Sequence, residues 1–328
     1  MTAAVTTTLL TRRFGDFTAV DGLDLTVRRG EVYGFLGLNG AGKTTTIRML
    51  LGMVRPSSGD VTLLGEPVRR GGHGPWARVG YLVDAPAPYP QLTVLENLRA
   101  AARLRGVPDA AISRAVERLG LAPYADRRAR SLSQGNRQRL GLAAALFHEP
   151  ELVILDEPAN GLDPAGVVEV RELLRSLALE QGVTVLMSSH ILAEVDRLAT
   201  RIGIIHHGRL IEELGASELE RRRARRLVVR ARNRAAARRV LADAGYTLDE
   251  TGAGDRSGGA NSDTGNGANG DGRLILTDEA AIRRPEKVAT TLVVAGHPPV
   301  HLTVEQEDLE QHFLRLTAQS GPAAKEAS

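Results

Sequence analysis

The chain has 328 residues, a formal net charge of +3 and no cysteine. That length admits two domains and a core that needs no covalent staples, and the missing thiols exclude disulfide frameworks and thiolate zinc sites. Aromatic residues make up 3% of the chain and none interleaves with the basic run at 220–239, which therefore offers no base-stacking platform for single-stranded nucleic acid. The start, "MTAAVTTTLLTRRFGD", lacks the basic opening and apolar run of a secretory signal. Nowhere do about 18 apolar residues run unbroken. The expectation is a cytoplasmic protein.

In chain order, "TAVDGLDLTV" (18–27) and "GDVTLLGEP" (59–67) read as antiparallel strands beside an α/β core. "EVYGFLG" (31–37), "LVILD" (152–156), "VTVLMSS" (183–189) and "IGII" (202–205) are short, almost wholly apolar runs. Such runs suit parallel strands covered on both faces. Helices alternate with them. Thr93 and Glu96 have capping-box spacing, so a helix is expected to start there. Ile112, Ala115, Val116 and Leu119 share one helical face, as do Val167, Val170, Leu174 and Leu177 behind an N-cap at Asp163 and a proline at 164.

After about residue 215 the texture changes. The basic excess gathers in "ERRRARRLVVRARNRAAARR" (220–239), for which a solvated helix face with a linker and an anionic-lipid or acidic-partner contact are the two readings. "RLVVRAR" (226–232) reads as a strand and "AAARRVLADAG" (235–245) as a helix. Residues 251–272 hold eight glycines in 22 positions and read as a flexible loop without calcium-site spacing. A strand at 273–278 and helices at 285–296 and 309–317 follow. The expected domains are 1–214 and an α+β appendage, 215–328.

"GLNGAGKTT" (37–45) follows a strand and opens a helix, the context in which G-x-x-x-x-G-K-[ST] holds phosphate. Gly37, Asn39, Gly40, Ala41 and Gly42 form the cradle, with Thr45 just beyond it. Lys43 is expected to reach the β- and γ-phosphates of ATP, and Thr44 to give its hydroxyl to Mg²⁺. Lys43, Lys287 and Lys325 are the only lysines among 42 basic residues, and a compact ammonium fits a tight backbone cradle where a guanidinium does not. Asp156, at the end of the 152–156 strand, is the second candidate for Mg²⁺, and Glu157 the candidate general base. No guanine-reading "NKxD" is present. In "SLSQGNRQRL" (131–140), Ser133 and Gly135 precede a helix, where a hydroxyl, backbone N–H groups and the helix dipole converge on anionic charge. That makes a second phosphate-binding element.

"LSQGNRQR" just upstream of "LVILDEP", together with the phosphate loop, resembles the signature of ATP-binding cassette (ABC) ATPases over residues 1–214. The resemblance implies a P-loop α/β fold with a parallel sheet, an antiparallel β subdomain and a helical subdomain. It implies a homodimer enclosing two ATP, in which Ser133 and Gly135 of one chain cap the nucleotide on the other and Asp163 reaches across. Phe14 then matches the aromatic that stacks on adenine, and His190 the switch histidine at the γ-phosphate. Asp84 stands where the family has glutamine, and Leu38 where it has proline in the phosphate loop; Asp84 is expected to contact Mg²⁺. Residues 85–98, with Tyr89, Leu92 and Val94, would face a separate integral-membrane permease or serve as core. The arrangement is similar to antibiotic-resistance exporter ATPases, which places the chain peripherally on the inner face of the membrane without direct nucleic-acid contact. A soluble ABC ATPase acting on ribosomes or nucleic acid is the alternative, suggested by the basic pI; a phosphate-loop kinase leaves 132–139 and His190 unexplained.

Overall fold

The computed structural model describes residues 2–69, 74–84, 86–248 and 273–319. The chain opens with β1 (Ala3–Phe14), β2 (Phe17–Arg28) and β3 (Val32–Leu36), then α1 (Lys43–Leu50), β4 (Ser58–Leu63), β5 (Glu66–Pro67) and β6 (Val79–Leu82). Helices α2 (Val94–Arg105), α3 (Asp109–Arg118) and α4 (Gln134–Leu146) come next. Then β7 (Leu152–Asp156), α5 (Pro164–Gln181), β8 (Thr184–Ser189), α6 (Leu192–Leu198), β9 (Arg201–His206) and β10 (Arg209–Gly215) alternate. The remainder is α7 (Ala216–Arg222), β11 (Arg225–Ala231), α8 (Arg234–Asp243), β12 (Arg273–Leu276), α9 (Glu279–Arg283), α10 (Pro285–Val294), β13 (Pro299–Gln306) and α11 (Leu309–Gln319). Two compact units result, one within Met1–Glu220 and Leu316–Ser328, the other within Arg221–Arg315. The glycine-rich segment 251–272 lies outside the described residues.

The first unit is built on a six-stranded sheet of order β10-β9-β3-β8-β7-β6, parallel except for β10. All residues of β3, β7 and β8 are buried, which is why their sequences are mostly apolar rather than alternating, with polar residues gathered at the strand ends. A second, antiparallel sheet of order β2-β1-β4-β5 shares its core: Val5, Leu10, Leu23 and Leu63 pack in one cluster with Phe35, Ile47, Ile154 and Leu186. The helical part begins at a capping box. Glu96 N donates to the Thr93 hydroxyl at 3.2 Å, and Thr93 N donates to the Glu96 carboxylate at 2.7 Å. That bond is the leading cause of a Glu96 pKa held below the usual range. α5 starts as its sequence indicates, with the Asp163 carboxylate accepting from Gly166 N at 3.0 Å and Pro164 following.

The second unit is a three-stranded antiparallel sheet, order β12-β11-β13, with Leu227, Val229, Leu274 and Leu276 packed against Ala237, Leu241, Val288 and Leu292 of its helices. The arginine-rich run 220–239 is therefore not one helix face with a linker: it contributes the end of α7, all of β11 and half of α8. Residues 273–319 hold two strands and three helices where one strand and two helices were expected. β13 is the added strand, and it pairs along the whole of β11.

Candidate functional site

The phosphate loop, both acidic residues and the histidine are far apart in sequence, and the sheet brings them together. Register places Leu36 beside Ser189 and Asp156 beside Ser188, so the carboxyl ends of β3, β8 and β7 form one ledge. In open α/β sheets that ledge is where ligands bind.

Residues 37–42 leave β3 and turn sharply into α1. A Cβ at Gly37 would stand 2.6 Å from the Ile205 carbonyl, and one at Gly42, whose φ is +108°, 2.6 Å from the Ala19 carbonyl. Side chains at these positions would fill the cradle. Gly42 is the N-cap of α1 and offers no side-chain capping bond, so the first N–H groups of the helix keep their donor capacity for a ligand. The Lys43 side chain is 6% exposed; its ammonium donates to Gly37 O at 2.6 Å and lies 3.6 Å from Glu157 Oε1. A buried ammonium poised over an uncapped helix start fits a polyphosphate.

Asp156 is buried and accepts from Ser188 Oγ at 2.5 Å. The same hydroxyl accepts from Glu157 N at 3.0 Å, so one serine sets both acidic positions. Glu157 has φ +51°, a backbone state that costs a non-glycine residue about 1 kcal/mol and persists where neighbours hold it. Its Oε2 lies 2.7 Å from His190 Nδ1 and accepts from His190 N at 3.2 Å. Lys43, Glu157 and His190 thus form one contiguous chain of charged and titratable groups. Glu194 stands behind it, its pKa raised by burial first and then by the Glu157 charge, against the opposing pull of His190 and Arg171.

Among the described residues no group of three or more His, Cys, Asp or Glu side chains could hold a metal by itself. A hydroxyl from Thr44, the Asp156 carboxylate and ligand phosphates fit the Mg²⁺ pattern of few protein ligands. Asp84 is on the ledge after β6, but its carboxylate is taken by Arg48 of α1, with both oxygens within 2.8 Å of Nη2.

Other expected residues lie apart from this cluster. Ser133 is exposed and accepts from Asn136 N at 3.2 Å, so within one chain it caps its own helix, and Asp163 does likewise in α5. Phe14 closes β1 at the hairpin tip, 47% exposed, with the Arg12 guanidinium 4.3 Å from its ring centroid; it is not a core residue. Of the ambiguous trio, Tyr89 is exposed, Val94 is buried and Leu92 is intermediate. Sequence reasoning missed Arg48, Ser188 and Gln138. Gln138 carried a signal, being a polar residue four positions before Leu142 on the inward face of α4.

An uncapped phosphate loop, a strand-end Asp-Glu pair and a following histidine on one parallel ledge define a P-loop nucleotide hydrolase. A sequence profile described as ABC transporter matches residues 20–160. The chain is 45% identical over 223 residues to the bacitracin transport ATP-binding protein BcrA of Bacillus licheniformis, covering 68% of this chain and 73% of that protein. It is 41% identical over 223 residues to the Nod factor export ATP-binding protein I of Cupriavidus metallidurans, covering 67% and 73%. A solved ATP-binding subunit of an ABC transporter superposes with a TM-score of 0.61 at 29% identity, covering 67% of this chain and 92% of that one. This chain belongs to the ABC transporter family, as an ATP-binding and ATP-hydrolysing subunit that uses Mg²⁺. Among the described residues no helix is long and apolar enough to cross a membrane.

Proposed function

We propose that two copies of this chain close on two ATP molecules and drive a separate membrane permease that exports an antibiotic-like compound. In each copy Lys43 and the N–H groups of 37–45 hold the phosphates, and Thr44 and Asp156 hold Mg²⁺, which supplies charge neutralisation. Glu157 receives the proton of the water whose oxygen bonds to the γ-phosphorus as the bond to the β–γ bridging oxygen breaks, releasing ADP and phosphate, and His190 orients the Glu157 carboxylate and the γ-phosphate end. Ser133 and Gly135 of the facing copy cap that phosphate, Asp163 reaches across the seam, and Phe14 stacks on adenine. Closure on ATP and reopening after hydrolysis form the power stroke.

The observation that carries this reading is the Lys43–Glu157–His190 cluster, which has the base and the cation of a hydrolase, while the Ser133 hydroxyl accepts from Asn136 N of its own helix. Two copies supply what one lacks. Relatives named for bacitracin transport and Nod factor export support an exporter, and no observation favours work on ribosomes or nucleic acid. A cavity of about 600 Å³ lined by Met53, Tyr81, Tyr89 and Leu104 supports a permease contact. Tyr89 and Leu104 there are 64% and 88% exposed, which leaves apolar side chains open to a partner. That contact would hold the chain on the inner face of the membrane, and the arginines of 220–239 would add attraction to anionic headgroups.

Glu157→Gln tests the reading. The variant is expected to lose hydrolysis by about 100-fold or more while keeping ATP, and to elute as a dimer at saturating ATP-Mg²⁺. A monomer under those conditions sinks the two-copy site.

A further inference from the structure

Gln138 follows Ser133 and Gly135 in the 131–140 stretch, and its amide touches the peptide that carries the base. Its side chain is 5% exposed, and Nε2 donates to Pro158 O at 2.8 Å and to Glu157 O at 3.3 Å. Glu157 O also accepts from Asn160 N at 3.0 Å, closing the turn after β7. The polar backbone groups of Glu157 are thus held from opposite elements, its N–H by Ser188 of β8 and its carbonyl by Gln138 of α4. That double hold is what keeps a glutamate at φ +51°.

Gln138 is also on the helix that Ser133 caps. The first turn of α4 is fitted onto the loop that follows Glu157: a Cβ at Gly161 would collide with the Gln134 amide, and one at Gly135 would stand 3.4 Å from Leu162 Cδ2. Arg139 ties the same helix to Glu169 of α5 at 2.8 Å. The start of α4 and residues 157–162 are one packed piece, and Gln138 is its buried polar link.

We propose that Gln138 is a positioning residue that couples the two ATP sites of the dimer. Ser133 of a chain caps the nucleotide on the other copy, whereas Glu157 of that same chain acts on its own. Seating of α4 on the distant nucleotide is passed through the Gln138 amide to the Glu157 peptide, which sets where the carboxylate meets water. The inference rests on the proposed roles of Glu157 and Ser133.

The test compares hydrolysis against ATP concentration for the full chain, Gln138→Met, Gln138→Glu and Glu157→Gln. Gln138→Met keeps the volume and loses the donors. Its kcat is expected to fall by about 10- to 100-fold, with unchanged affinity for a fluorescent ADP analogue and a Hill coefficient reduced to 1. Gln138→Glu places a carboxylate against two carbonyls at neutral pH; protonated, it donates again, so its rate relative to the full chain recovers as pH falls. A packing role alone does not produce that acid-shifted profile. Wild-type kcat and Hill coefficient in Gln138→Met overturn the proposal, and if that variant does not fold, a Gln138→Glu profile parallel to wild type overturns it. An inactive Glu157→Gln beside a fully active Gln138→Met removes the coupling alone, whereas an active Glu157→Gln removes the general-base reading and the coupling with it.

Discussion

Asp84 and Arg48 form a two-oxygen ion pair that joins the end of β6 to α1, the helix whose first residue is Lys43. Both side chains are about half exposed, so the pair contributes at most about 1 kcal/mol and opens cheaply. A carboxylate held this way can leave Arg48 when a divalent ion sits at the ledge, and Asp84 also lines the apolar groove proposed to meet the permease. Asp84→Ala is expected to raise the Mg²⁺ needed for half-maximal turnover several-fold while lowering Tm by less than about 4 °C. Turnover with unchanged Mg²⁺ dependence would remove Asp84 from the metal site and leave it as a partner of Arg48 alone.

Phe14 offers a second measurement. An aromatic ring nearly half exposed at a hairpin tip, with a guanidinium over one face, has a face available for a flat ligand. Aromatic stacking contributes about 0.5–1.5 kcal/mol beyond area burial, equivalent to roughly 2- to 13-fold in affinity. Phe14→Ala is expected to raise KM for ATP by that factor with little change in kcat, and Phe14→Tyr to restore it. A loss confined to kcat would place the ring outside the adenine site.

The sequence made the ledge legible because its parts obey strict local rules. The phosphate loop needs glycine where a Cβ would strike Ile205 or Ala19, and the strand that ends at Asp156 needs five buried residues in a row. Caps at Thr93 and Asp163 were legible for the same reason. β1 was not, because "AVTTTLLTRRF" shows no clean alternation. Its register with β2 shifts at several points, and the buried Thr7 replaces an apolar contact with hydrogen bonds to Leu23 O and Leu25 N. β13 was missed because its exposed and half-buried residues carry little apolar signal; its pairing with β11 makes it a strand. The Gln138 and Ser188 links to Glu157 depend on elements meeting across the fold, which no spacing along the chain encodes.

His148 yields a prediction about pH. Its ring follows α4, with Nε2 2.9 Å from Arg105 Nη1, and burial first and the Arg105 charge second push its pKa from 6.5 down to about 4. The folded state therefore resists protonation that the unfolded chain accepts below about 6.5. The stability this histidine contributes is fully present above pH 6.5 and is lost as pH falls through about 4. Glu31 and Glu194, both raised by burial, act with the opposite sign, so the slope of the wild-type curve alone is ambiguous. The difference between wild type and His148→Gln isolates the imidazole. Between pH 6.5 and 4.5 the Tm of the wild type is expected to fall more steeply than that of the variant, because glutamine keeps polar contacts but takes up no proton. Parallel curves across that window would mean that His148 takes up its proton at the same pH in the folded and unfolded chains, and that burial and Arg105 do not bear on it.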